Sequence, residues 1–347
     1  EFRETLGPEE LNARRREIEK LILECRYGIS IMQQAIRVFV DPLPGNVNSA
    51  YDDYLPLLHP GDQILYFTSR RPLSQRARKD RNDGKYIEST LMAIPDEDSW
   101  LLKGQADGIF RSRTHLAPVS VSQDGNTMIL YRGDKGGDLY ISNRSNEKWL
   151  GPKPMRRVNS RNQESSAAIS SDGRTLYFIS DRSGGYGGTD IWVSYLSDKG
   201  KWSEPINAGP VLNTEFDEQG LYLKDDYTLY FSSRGHNSMG GFDVFKSEFR
   251  NGRWTNPINL GHPINTPSDE LFFSFADDDR FALFSSKRPQ GGGVSNLYLA
   301  TFLGPEKPLR FPVNQDLIAA RHRTVRGELL DATPQQSRQM TLLKGRV

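Results

Sequence analysis

A unit of about fifty residues recurs five times along this chain, and a repeat of that length restricts it to a propeller, a solenoid or an array. The phrase SSDGRTLYFISDRSGGYGGTDIWVS at 170–194 returns as LKDDYTLYFSSRGHNSMGGFDVFKS at 223–247. Anchored on a mid-strand aromatic, the copies fall at Phe67, Tyr131, Phe178, Phe231 and Phe284, spaced by 64, 47, 53 and 53 residues. A chain built from copies of one unit is first a scaffold, so function is to be sought where one copy departs from the rest.

Each copy holds four short strand candidates. The first precedes an Asp-Gly turn, as in ESSAAIS at 164–170 and ELFFSF at 270–275. The second is apolar and aromatic, as in TLYFIS at 175–180. The third follows a glycine pair and opens on Asp138, Asp190 or Asp243. The fourth starts at a tryptophan (Trp100, Trp149, Trp202, Trp254), and the last three of these have a proline three residues on. Short strands between Asp-Gly and Gly-Gly turns read as an antiparallel meander. Four such strands per unit, repeated radially, make a propeller blade.

The fifth copy stops at NLYLATF, 296–302, without its tryptophan strand. The other copies end in an Asn-Ser or Asn-Thr pair (159–160, 213–214, 265–266), and the same pair stands at 48–49, ahead of the first copy. The segment 36–48 is therefore expected to pair beside 296–302 and close the ring, which removes exposed sheet edges. The expected fold is all-β, a propeller over 35–302 with five blades, or six if 303–315 adds strands. Residues 1–34 read as a helical segment over 8–34, with Leu11, Ile18, Leu21, Ile22 and Cys25 on one apolar face that must pack on the propeller or on preceding helices. Residues 303–347 read as a linker into a further small sandwich, with a strand start at TLLKGRV.

Composition narrows the chemistry. Lys and Arg number 45 against 44 Asp and Glu, which argues against nucleic acid as a partner. The lone Cys25 allows no internal disulfide and no thiolate metal cluster, and the five histidines (59, 115, 236, 262, 322) lack ligand spacing. No cofactor or metal is expected. No apolar run approaches the ~18–20 residues of a membrane helix. The opening EFRETLGPEE reads as the interior of a longer protein.

Acidic residues precede the first strands at Asp53, Glu164, Glu218 and Glu270. In a channel they would suit glycoside hydrolysis. A residue recurring in four units usually has a repeated structural task, whereas catalysis needs two carboxylates in different environments. The same reasoning reads Asp138, Asp190 and Asp243 as turn acceptors and the tryptophans as inter-blade packing. The asymmetric feature is a ten-residue insertion in the first copy. It carries Arg70, Arg71, Arg76, Arg78, Lys79 and Arg81 against Asp80, a basic patch suited to an acidic partner.

With these residues in view, the chain resembles WD40-like, TolB-like propeller repeats, on the stretches 170–194 and NGRWTNPINLGHPINTPSDELFFSF at 251–275. Such repeats are common in OmpA-family envelope proteins of the Bacteroidota. The layout of helix, propeller and sandwich start is similar to that of a type IX secretion component. The resemblance implies a periplasmic, outer-membrane-associated protein, lipid-anchored in full length. Its partners would be envelope or secretion-system proteins, with peptidoglycan reached only through a domain absent here. The expectation is a non-catalytic scaffold for protein–protein contacts, not an enzyme. The alternative is a glycan-active or glycan-binding five-bladed propeller using channel carboxylates.

Overall fold

A computed structural model describes residues 8–304, apart from 44–45, 98, 107, 113, 134–135, 277–278 and 293. The linker and strand start expected within 305–347 lie outside the described residues. Helix Pro8–Gln33 leads into five antiparallel sheets. In each blade the innermost strand begins at the acidic position or its equivalent: Asp53–Leu58, Leu116–Val121, Glu164–Ile169, Glu218–Asp225 and Glu270–Phe275. The second strands are the apolar ones the sequence marks, and the third open at Ser89, Asp138, Asp190, Asp243 and Asn296.

The ring closes as its two ends foretell. Val38–Pro42 pairs antiparallel with Asn296–Phe302, from Val38 opposite Phe302 to Pro42 opposite Tyr298. The described residues thus form five four-stranded blades, two with an extra two-residue strand.

One sequence anchor shifts by a residue. Opposite the third strands, Phe67 meets Leu91, Phe178 meets Trp192, Phe231 meets Phe245 and Phe284 meets Tyr298; in the second blade the matching residue is Leu130, opposite Tyr140. Leu130 is fully buried, and Tyr131 is only half-buried. An aliphatic side chain fills the place held by Phe elsewhere, so an aromatic-anchored alignment slid onto its neighbour. Burying each anchor contributes about 1.5–3 kcal/mol.

Each tryptophan packs toward the preceding blade. Trp254 meets Tyr177 edge-on at 5.7 Å, and Trp149 meets His59 at 5.9 Å. Trp202 joins the core around Ile129 and Ile141, and Trp100 that around Leu283 and Leu297. The glycine pairs permit close passage to the next blade. A Cβ on Gly187 would lie 1.9 Å from the Phe216 carbonyl oxygen, and one on Gly240 would lie 2.4 Å from that of Pro267.

The helix touches the propeller through a small and polar stripe. Glu24 and Gly28 are buried, and the Lys20 ammonium lies 4.9 Å over the Phe216 ring. Ile18, Leu21, Ile22 and Cys25 of the expected apolar face are exposed, as are Ile29 and Met32. That face turns away from the blades. No described helix is long and apolar enough to cross a membrane.

Candidate functional site at the seam of the first two blades

Four seams share one bonding pattern. The Asn of each Asn-Ser/Thr pair clamps the third strand of the preceding blade. Asn48, Asn159, Asn213 and Asn265 accept from the backbone N–H of Leu297, Leu139, Ile191 and Val244 and donate to the same residue's carbonyl, all at 2.7–3.0 Å. The Ser or Thr that follows donates its N–H and hydroxyl to the acid four residues on. The hydroxyl distances are 2.7 Å for Ser49–Asp53 and Ser160–Glu164, 2.8 Å for Thr214–Glu218 and 2.6 Å for Thr266–Glu270. In three blades an arginine completes the cage: Arg71 on Asp53 at 2.8 Å, Arg182 on Glu164 at 2.7 Å and Arg288 on Glu270 at 3.5 Å.

These four acids are 0 % exposed. They do not line the central channel, a cavity of about 210 Å³ walled by Leu55, Val119, Ala168, Leu221, Phe272 and Phe273 among others. The alternative of hydrolysis through channel carboxylates finds no support at these four buried groups, which do a repeated structural job at their seams. Asp190 and Asp243 are likewise internal, the first accepting the Tyr186 N–H at 3.0 Å and the second that of Met239 at 2.8 Å. Asp138 opens its strand half-buried.

The second blade breaks the pattern. The acid's place is taken by Leu116, which is buried, and the place before it by His115. At three other seams that preceding residue is an aspartate that accepts an N–H from the neighbouring blade: Asp52 from Ser295 at 3.0 Å, Asp217 from Thr189 at 3.1 Å and Asp269 from Phe242 at 3.2 Å. Here a histidine takes the acceptor's place, with the Glu88 N–H 3.4 Å from His115 Nδ1, and it also faces the Glu88 carboxylate. His115 Nδ1 lies 3.1 Å from Glu88 Oε2, and Nε2 lies 3.0 Å from Asp80 Oδ2. With a carboxylate at each ring nitrogen, the doubly protonated imidazole is favoured. The bond to Glu88 raises the His115 pKa first, with Asp80 adding to it against burial and Arg70. Glu88 Oε1 also accepts the Tyr54 hydroxyl. Burial and Glu88 hold that phenol well above its ordinary pKa. Tyr54 in turn stacks on Phe272 at 6.2 Å.

The insertion supplies Asp80. It folds as a small hairpin, with Asp80 N–H bonded to the Lys85 carbonyl at 2.7 Å and Ile87 N–H to that of Arg78 at 3.0 Å. Arg70 anchors it by donating to both oxygens of Asp83, at 2.5 and 3.1 Å, and to the Tyr86 carbonyl at 2.7 Å. Of the six basic residues singled out in the sequence, Arg70 and Arg71 are thus internal to the frame. Arg76, Arg78, Lys79 and Arg81 are exposed, with Lys79 5.2 Å over the Tyr86 ring. A surface pocket beside the hairpin is lined by Arg78, Lys79, Asp80, Arg81, Thr114 and His115, among others.

Sequence reasoning missed Tyr54, Glu88 and His115. The available signal was the missing acid at 116, hidden by the one-residue slip at Tyr131. Among the described residues, no cluster of three or more His, Cys, Asp or Glu could hold a metal ion.

No family model matches the chain, and no curated protein does. Solved structures match its fold. One titled glycoside hydrolase has a TM-score of 0.52 at 8 % identity, covering 83 % of this chain and 97 % of that one. A BT0996 RGII complex has 0.52 at 9 %, covering 83 % and 98 %. A putative TolB from Agrobacterium tumefaciens has 0.40 at 13 %, covering 73 % and 78 %. At such identities the likeness is one of fold. It nonetheless corrects the expectation that the chain is not an enzyme, because a glycoside hydrolase is built on this frame over nearly its whole length. The five-bladed ring is a β-propeller with a glycoside hydrolase and a TolB among its structural neighbours.

Proposed function

We propose that this chain is a glycan-active propeller whose site is the rim pocket at the seam of the first and second blades. The observation that carries the reading is His115 held between Glu88 and Asp80 at the seam where the repeated structural cage is replaced. Glu88 and Asp80 flank the imidazole, so the seam gathers two carboxylates, the group type that glycoside hydrolysis uses. The groups also differ in environment, as acid–base work requires. His115 and the partly exposed Asp80 line the pocket wall, where they can hydrogen-bond and orient sugar hydroxyls.

The test is release of reducing ends, and retention of ligand, across a panel of plant and bacterial polysaccharides. Turnover by the native protein that is lost in Glu88→Gln and His115→Gln supports the reading. Neither binding nor turnover of any glycan would overturn it.

A second reading rests on a different observation. The exposed apolar helix face at Ile18, Leu21, Ile22, Ile29 and Met32 suits a protein partner. Together with the resemblance to OmpA-family envelope repeats and to the type IX secretion component PorE, it supports a place in a periplasmic, outer-membrane-associated assembly of a Bacteroidota cell. Charge reversal of Arg76, Arg78 and Lys79, tested by pull-down from envelope extracts at low and high salt, separates capture through the rim from capture through the helix.

A further inference from the structure

We infer that the rim pocket selects anionic saccharides, with Arg78 and Arg81 as the groups that hold the ligand's carboxylate or phosphate. This inference rests on the glycan reading above and names its substrate class. The insertion divides its cations into two sets. Arg70 is committed to Asp83 and the Tyr86 carbonyl, and Arg71 to Asp53 and the Val47 carbonyl. Arg78 and Arg81 form no side-chain ion pair among the described residues, yet both line the pocket that His115 opens into. Asp80 pairs with neither of them; it faces His115 Nε2 at 3.0 Å and accepts the Asn82 N–H at 2.9 Å.

The hairpin has two strand-like edges tied together between Lys79 and Tyr86, so the two guanidinium groups project from an ordered loop. Guanidinium forks bind carboxylate and phosphate oxygens bidentately, with a geometry that an uncharged sugar hydroxyl cannot match. The equivalent loop of the third blade, 181–189, lacks the insertion and contains one cation, Arg182, which is bonded inward to Glu164. At the seam of the first two blades, by contrast, uncommitted positive charge, a proton-bearing imidazole and the Thr114 hydroxyl converge on one pocket.

The experiment is calorimetry of the whole chain against three polymers of matched length: polygalacturonate, a phosphorylated mannan and a neutral mannan. The native protein and the double variant Arg78→Gln/Arg81→Gln are compared at low and high salt. The expected result is binding of at least one anionic polymer, weakened about tenfold or more by the double variant and by salt, with neutral mannan bound weakly or not at all. Preference for the carboxylated or the phosphorylated polymer identifies the anion's source. Equal binding of neutral and anionic polymers, untouched by the double variant, overturns the inference and leaves the glycan reading standing. Binding of none of the three, with glycan turnover also absent, overturns both. The exposed positions of both arginines keep the variant folded, which circular dichroism verifies.

Discussion

His236 Nε2 donates to the Leu212 carbonyl at 3.1 Å, a place filled in three other blades by an arginine. Arg182 and Arg288 donate at 2.6 Å to the equivalent carbonyls of Val158 and Ile264. The imidazole also packs on Phe231 and Phe245 at 5.9 and 5.3 Å, as the Arg182 guanidinium does on Phe178 and Trp192 at 4.9 and 5.4 Å. The substitution keeps the carbonyl bond and the stacking but removes the cation. Gly235 occupies the sequence position of the arginines, and a Cβ there would lie 2.2 Å from Thr214 Oγ1.

Glu218 is thereby left buried without a counter-charge. Burial pushes its pKa up to about 8 against the bonds from Thr214 and Ser233, and Asp190 pushes the same way. Burial also lowers the His236 pKa, so the ring is neutral and gives no help. A folded pKa above the unfolded one means that the native state binds the extra proton. The stabilisation is complete below about pH 4.5 and is lost as pH rises through about 8. Melting temperature of the native chain should fall between about pH 5 and about pH 9. Glu218→Gln should make that fall shallower, Glu270 and Asp243 (raised by burial to about 8 and about 7) still contributing to it, and should be the more stable form at about pH 9, by on the order of a few kcal/mol. Parallel melting curves for the two proteins would show that Glu218 is ionised in the fold.

The asparagine clamps give a second prediction. Asn213 is buried and satisfies both the N–H and the carbonyl of Ile191 on the neighbouring third strand. Asn213→Ala strands two buried backbone groups, each costing ~1–3 kcal/mol. Chemical denaturation should show a loss of about 2–5 kcal/mol, and Asn213→Asp, which cannot donate to the carbonyl, should also destabilise. A loss below about 0.5 kcal/mol would mean that water replaces the clamp.

Closure of the ring gives a third. Removing residues 1–33 takes away only the helix, whereas removing 1–48 also takes the strand paired with Asn296–Phe302 and the Asn48 clamp on Leu297. The shorter deletion should change the melting temperature little. The longer should lower it strongly and expose the edge of the fifth blade to association with other chains. Equal melting temperatures for the two would show that the closing strand is dispensable.

Most of the frame was legible in the sequence because each blade repeats the same physical solution. The strand candidates, the split blade and the Asn-Ser/Thr pair all follow from spacing alone, and the pairing of 36–48 with 296–302 followed from one displaced dipeptide. The site was less legible. His115, Glu88 and Asp80 are separated by the insertion and by a strand, and only ring geometry brings them together. The basic run at 70–81 looked uniform in sequence, yet Arg70 and Arg71 turn inward because they sit where the repeat requires inward-facing side chains. The substitution of Leu116 for an acid marks the seam where the repeated cage is broken, but an aromatic anchor at Tyr131 concealed it, since Leu130 is the residue in register.

The same seam supplies the last prediction. His115 faces Glu88 from the neighbouring blade and Asp80 from the hairpin, with Arg70 opposing them at longer range. Its folded pKa lies above 6.5, the bond to Glu88 being the largest cause. The stability it contributes is therefore full below about 6.5 and is lost as pH rises through the folded value. Nuclear magnetic resonance titration should place His115 above its ordinary range in the native chain and nearer to it in Glu88→Gln, where a neutral amide replaces the carboxylate. His115→Ala should destabilise the protein at about pH 6 more than at about pH 9. At the lower pH, amide exchange over 79–86 should be faster in His115→Ala than in the native chain, because Asp80 has lost its charged partner and the hairpin keeps the Arg70 anchor and the Lys85–Asp52 pair. If the His115 titration is the same in native and Glu88→Gln protein, the imidazole is not coupled to Glu88, and the proton assigned to this seam is held by another group.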